Sequence, residues 1–110
     1  MSNKITRGSG NIFKDLGFAN PEEMQTKAQL VSRINAIIKD RKLTQTKAGE
    51  ILGIRQSQVS DLSRGGTGFS IDRLLHFLNK LDREVEIVVK RKRSRRPATT
   101  TITFTDQISV

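Results

Sequence analysis

The sequence of 110 residues contains no Cys, Trp or Tyr, only two Pro and a single His. The absence of Cys excludes a disulfide framework and any zinc site built on thiolates. One His and no thiol leave few side chains that act as general bases or nucleophiles, so we expect no enzyme activity, no metal and no cofactor. No apolar run approaches the roughly 18 residues of a membrane-spanning helix, and residues 1–8 lack the apolar stretch of a secretory signal. We therefore expect a cytoplasmic protein that does not bind membranes.

Positive charge is abundant and unevenly placed. The formal net charge is +9, and six of the seven residues from 90 to 96 are Lys or Arg. The rest of the chain is closer to balance, with 14 basic and 11 acidic residues. A basic protein of this size most often binds a polyanion, usually nucleic acid. The run itself fits either a nonspecific phosphate clamp or a solubilising tail, and its composition does not separate the two.

Helical signals flank the central part of the chain. Asn20 can cap a helix, Pro21 suits its first position, and Glu23 stands where a capping box places a carboxylate. Apolar residues at helical spacing continue this first predicted helix to about Arg41. Ser70 can cap the last predicted helix. Its apolar residues recur at three- and four-residue steps: Ile71, Leu74, Leu75, Leu78 and Leu81.

Residues 44–64 carry the most specific pattern. A second helix is predicted from Thr44, and Gly53 ends it by supplying a left-handed backbone conformation. A third helix is predicted from Gln56 to Arg64, and Gly49 is small enough to let the two helices approach closely. Apolar residues form the seam between them: Ala48, Leu52, Ile54, Val59 and Leu62. Two short helices joined by a tight turn predict a helix-turn-helix, whose second helix enters a DNA major groove.

The outward face of the third predicted helix is polar, because Val59 and Leu62 turn inward. Short or amide side chains there can hydrogen-bond base edges, and the candidates for base contact are Gln56, Ser57, Ser60 and Asp61. The candidates for phosphate contact are Gln45, Arg55 and Arg64. Asp61 has two interpretations, since it can accept from a cytosine amino group or pair with Arg64 on its own helix. The pairing within the helix is slightly favoured.

The spacing of the apolar residues changes after the last predicted helix. Val85, Ile87 and Val89 alternate with polar residues, which is a strand pattern. A lone strand leaves its backbone groups unpaired, so we expect the same strand of a second copy to pair with it, with these three residues at the joint. Such a homodimer places two recognition helices about 34 Å apart and predicts a near-palindromic operator in double-stranded DNA. Residues 97–110 are rich in Thr and fit either a strand or a disordered tail.

These signals predict a mainly α fold. We expect a helix-turn-helix domain over residues 11–90, ending in the dimerisation strand. A flexible arm is predicted for residues 1–10, and a basic, Thr-rich tail for residues 91–110. His76 lies opposite the apolar stripe of the last predicted helix, so we expect a solvated surface side chain.

Several short segments of the sequence together resemble a known protein family. They are Asn11-Ile-Phe-Lys-Asp-Leu-Gly-Phe18, Leu43-Thr-Gln45, Ile51-Leu-Gly-Ile54, Val59-Ser60, Phe69-Ser-Ile-Asp-Arg-Leu-Leu75 and Val85-Glu-Ile-Val-Val89. The helix-turn-helix resembles that of the Cro/C1-type (XRE) repressors, and the span 10–89 resembles the HigA-like antitoxins of type II toxin–antitoxin modules. The resemblance implies a domain of four or five helices. It also implies a dimer that binds an operator, represses its own operon and neutralises a small protein toxin, usually an RNA-cleaving one. It also implies a cytoplasmic, nucleoid-associated protein.

The chain departs from this family at three positions of the motif. Lys47 stands where Glu is usual, Gly49 where Ala is usual, and Arg55 where a capping residue is usual. In a helix, Gly costs roughly 1 kcal/mol relative to Ala. Two other functions fit the same pattern, namely a stand-alone phage-type repressor without a toxin and a protein-interaction module on this fold.

Overall fold

The computed structural model describes residues 21–66 and 68–108, and within them the chain forms four α-helices. They are α1 (Pro21–Asp40), α2 (Gln45–Leu52), α3 (Gln56–Ser63) and α4 (Ile71–Lys80). The mainly α prediction is therefore confirmed. The predicted arm at residues 1–10, the apolar segment 11–18 and the Asn20 cap lie outside the described residues.

Local capping chemistry sets the bounds of these helices. The Thr44 hydroxyl accepts a hydrogen bond from the Lys47 N–H at 3.1 Å and so begins α2. Gly53, with a φ of 75°, ends α2 in the left-handed conformation expected from its sequence position. Ser70 caps α4 by accepting from the Arg73 N–H at 3.4 Å. All three signals are local, which is why the sequence predicted them correctly.

The core lies where α1 crosses α4 and supports the helix-turn-helix. Helix α1 packs most extensively on α4, and α2 packs on α3. Phe69 and Phe77 meet edge to face with ring centroids 5.4 Å apart. Five large side chains are almost completely buried: Ile34, Ile37, Leu62, Leu74 and Leu81. His76 on α4 is exposed, as expected.

The predicted strand at residues 84–90 is wrong. No strand forms among residues 21–66 and 68–108, and the side chains of Val85, Ile87 and Val89 are exposed, Val89 by 92%. Alternation supplies an apolar face, but a ladder also needs the backbone of a neighbouring strand. The described chain brings no such strand beside these residues. Strand pairing across a dimer is therefore not part of this fold.

The last described residues return to the helices instead. Residues 102–108 run as extended chain, and Ile102, Phe104 and Ile108 are half-buried against the core. Asp106 lies between them and accepts hydrogen bonds from Arg33 of α1 and from Arg83, just past the end of α4. Of the two alternatives for residues 97–110, neither a strand nor an unattached tail describes this part of the chain.

Candidate nucleic-acid interface

The turn between α2 and α3 holds the two helices unusually close. A Cβ placed on Gly49 would lie 2.8 Å from the carbonyl oxygen of Ile54 and 3.5 Å from Cγ2 of Val59. The Gly49 carbonyl accepts the N–H groups of both Gly53 and Ile54, at 2.8 and 3.0 Å. The absence of a side chain at Gly49 thus lets the backbone of the turn fold directly over α2, as the sequence suggested.

Helix α3 is anchored at its carboxyl-terminal end by α1. Val59 and Leu62 are buried, and Asn35 Nδ2 donates to the Leu62 carbonyl oxygen at 2.9 Å. The Leu62 carbonyl also accepts the Gly65 N–H at 3.1 Å, so the Asn35 amide adds a second bond to this oxygen and ties the last turn of α3 to α1. The role of Asn35 could not be predicted from the sequence, because a polar residue beside the apolar stripe of α1 carries no signal of its distant partner.

The amino-terminal end of α3 is capped without a capping side chain at Arg55. Gln58 Oε1 accepts the Arg55 backbone N–H at 3.1 Å, which is the glutamine half of a capping box. The Arg55 side chain is exposed and forms no ion pair with any residue in 21–66 or 68–108. Its charge is therefore available to a ligand at the start of α3.

Gln56 and Ser57 stand exposed on the first turn of α3. The Gln56 amide Nε2 lies 3.5 Å from Gln45 Oε1 on α2, at the long limit of a hydrogen bond. The structure thus brings together a candidate base contact and a candidate phosphate contact at the same end of the motif. A hydrogen bond this long is weak, so Gln56 and Gln45 lose little free energy when they separate to contact a ligand.

The second turn of α3 carries an ion pair. Arg64 Nη2 donates to Asp61 Oδ1 at 2.8 Å, and Arg64 Nη1 donates to Ser60 Oγ at 3.1 Å. This is the pairing favoured for Asp61 from the sequence. Both charged side chains are more than half exposed, so the pair contributes less than about 1 kcal/mol and can open at low cost.

The family of the chain follows from this architecture and from its relatives. A family model for a helix-turn-helix domain matches residues 12–90. A solved structure of an XRE family transcriptional regulator is 43% identical, covers 76% of this chain and 97% of its own, and superposes with a TM-score of 0.73. The chain belongs to the XRE-type helix-turn-helix family. Among curated proteins, none matches the sequence.

Within this XRE-type domain, α2 and α3 are the two helices of the motif and α3 is its outward-facing helix. Residues 90–96, with their six basic side chains, are exposed throughout. In the described part of the chain no cluster of His, Asp or Glu is suited to hold a metal ion. No described helix is long and apolar enough to cross a membrane.

Proposed function

We propose that this protein is a sequence-specific, DNA-binding transcriptional repressor that inserts α3 into the major groove. The observation that carries the proposal is a polar, exposed helix face held rigid from three sides: by Gly49 on α2, by Asn35 on α1 and by the Gln58 cap. Preorganised helices of this kind read base edges with side chains near their amino-terminal end. The similar solved structure, a transcriptional regulator of the XRE family, supports the same function.

The proposed contacts divide into base readers and phosphate binders. Gln56 and Ser57 are the leading base contacts, because both are exposed on the first turn of α3. Ser60 and Asp61 join them once Arg64 turns from Asp61 towards the DNA backbone. Gln45, Arg55 and Arg64 are the proposed phosphate contacts, with Arg55 already exposed and unpaired with any described acid.

We further propose that the protein acts as a homodimer on a near-palindromic operator and as an antitoxin for a small protein toxin. The resemblance to HigA-like antitoxins supports both points. Val85, Ile87 and Val89 are proposed dimer contacts through their exposed apolar side chains, without a strand. A chromosome-bound repressor of this kind is proposed to reside in the cytoplasm, in association with the nucleoid.

The DNA-binding proposal is tested by selecting a preferred duplex from random DNA and comparing it with a scrambled duplex. Gln56→Ala and Ser57→Ala should each weaken binding to the selected duplex by about 1–3 kcal/mol while leaving scrambled DNA unaffected. His76→Ala is the matched control, because His76 is exposed on α4. Unchanged affinity of both folded variants for the selected duplex would refute the assignment of α3 as the reading helix.

The antitoxin proposal has its own test, independent of DNA binding. The reading frame adjacent to the gene is expressed alone and then together with this chain. Growth arrest by the neighbour, relieved by coexpression and accompanied by a purified complex of the two proteins, is the expected result. A neighbour without any effect on growth would leave a stand-alone repressor as the correct description.

A further inference from the structure

Residues 102–108, here called the seated segment, occupy a specific site on the helical body. Arg33 Nε and Nη2 donate to Asp106 Oδ1 at 3.0 and 2.6 Å, and Arg33 Nη2 also donates to the Asp106 carbonyl oxygen. Arg83 Nε donates to Asp106 Oδ2 at 2.7 Å. Each carboxylate oxygen therefore has its own arginine. A carboxylate held by two arginines is a strong and geometrically selective contact.

Apolar and aromatic contacts complete the site. The guanidinium of Arg33 lies 4.8 Å from the ring centroid of Phe104, within the range of a cation–π interaction. Ile102 and Ile108 pack against the core on either side. The site thus recognises an extended peptide with an aromatic residue two positions before an acid. This site, formed by Arg33, Arg83 and the adjoining core surface, is called the groove below, and residues 102–108 of the same chain occupy it.

The seated segment is joined to the helices only by a long exposed arm. Every residue from 84 to 101 is exposed. Arg83, the last residue before the arm, is tied to the end of α4, because its N–H donates to Leu78 and its carbonyl accepts from Asn79. The seated segment can therefore leave the groove while the backbone bonds at the end of α4 stay in place.

The reach of the arm exceeds the distance between neighbouring binding sites on DNA. A Gly-rich chain of this length spans about 23 Å on average, and the arm spans more because the six basic residues between 90 and 96 repel one another; the fully extended limit is about 60 Å. Half-sites one helical turn apart place two copies about 34 Å from each other. The groove of a neighbour bound there lies within reach of the arm, at an effective concentration on the order of millimolar.

We propose that two copies on neighbouring half-sites exchange their seated segments, so that Asp106 of each copy binds Arg33 and Arg83 of the other. This inference rests on the proposed DNA binding. The contacts are the same in the closed and exchanged forms, so exchange loses no interaction, which is the general reason that swapping is a low-cost route to dimers. Away from DNA each chain closes on itself, and the contacts proposed for Val85, Ile87 and Val89 form only when two copies are held together on the operator. On DNA the exchanged arms link the two copies and make their binding cooperative.

A charge swap tests exchange directly. Asp106→Arg reverses the charge of the segment and leaves the groove intact, whereas Arg33→Glu reverses the charge of one of the two groove arginines, with Arg83 kept, and leaves the segment intact. In each variant alone, like charges oppose closure. In the mixture, each segment meets a groove of opposite charge on the other variant. Since the chain has no Cys, a donor at Gln107→Cys of the Arg33→Glu variant and an acceptor at Gln29→Cys of the Asp106→Arg variant label the two partners uniquely.

The expected result without DNA is energy transfer in the mixture several-fold above that of the same labels in parent chains, whose segments stay closed. On a duplex with two selected half-sites, transfer between parent chains should exceed that between Asp106→Arg copies carrying the same labels, because mere proximity of two copies contributes equally to both. Circular dichroism confirms that the variants are folded. Absence of transfer in the folded mixture overturns the inference, and so does equal transfer of parent chains and Asp106→Arg copies on the two-site duplex. If no duplex is ever selected, the proposed function fails, while the DNA-free mixture still decides whether the segments are exchangeable.

Discussion

Asp106 and Arg33 are 73 positions apart in the sequence, yet their side chains meet at 2.6 Å. The contact joins the last described part of the chain to the middle of α1. The Arg33 guanidinium, assisted by Arg83, holds the pKa of Asp106 below its ordinary value of 3.8, although partial burial acts in the opposite direction. A basic, exposed loop is thereby closed at both ends on the helical body.

The ion pair predicts a pH dependence of stability. Because the folded-state pKa of Asp106 is lowered, its contribution is complete above the unfolded value near 3.8 and is lost as the pH falls through the folded value. At neutral pH, Asp106→Asn should reduce the free energy of unfolding by about 1–2 kcal/mol. Denaturant titrations of the two proteins should therefore converge in acid. A difference that stays constant from neutral pH to well below 3.8 would contradict this account.

Gly49→Ala is expected to destabilise the protein, although the same change in an open helix stabilises it. A methyl group there would meet the Ile54 carbonyl oxygen at 2.8 Å, and this backbone atom cannot move without opening the turn. We expect a net loss of about 1–3 kcal/mol, measured by denaturant unfolding. Gly68→Ala is the matched control, since nothing lies within 4 Å of its Cβ position. Equal stability of the two variants would show that the turn between α2 and α3 can accommodate a methyl group at position 49.

Asn35→Ala is expected to loosen α3 without altering what α3 reads. The substitution removes the donor to the Leu62 carbonyl and should cost about 1 kcal/mol of stability. Affinity for selected DNA should fall, while the ratio between selected and scrambled duplexes stays within about twofold, since the side chains that read the bases are unchanged. Asn79→Ala, which removes a comparable bond to Arg83 at the end of α4, should leave DNA binding unchanged. A changed base preference in the Asn35 variant would assign that residue a direct contact instead.

Replacing the six basic residues between 90 and 96 by Gln tests whether they bind DNA. The residues are exposed and the seated segment lies outside them, so the helices and the docking contacts should persist. For every phosphate that the variant no longer neutralises, the log–log slope of affinity against salt should fall by about 0.9, with sequence preference retained. Arg55→Gln removes a single proposed phosphate-binding side chain, so its change in slope shows the effect of losing one phosphate contact. An unchanged slope in the six-fold variant would identify the run as a solubilising element.

The sequence by itself determined the helices and the motif. Caps such as Thr44 and Ser70, the left-handed Gly53 and the three- and four-residue apolar steps act within a turn or two, so reading them requires no knowledge of the rest of the chain. Only the tertiary structure decided what the segments after α4 do. An alternating pattern indicates which side chains lie on one face of an extended segment. It does not indicate which other part of the protein packs against that face. Val85, Ile87 and Val89 alternate yet remain exposed, whereas Ile102, Phe104 and Ile108 alternate and dock. The difference lies in Arg33 and Arg83, which the folding of α1 against α4 makes available to the carboxylate of Asp106.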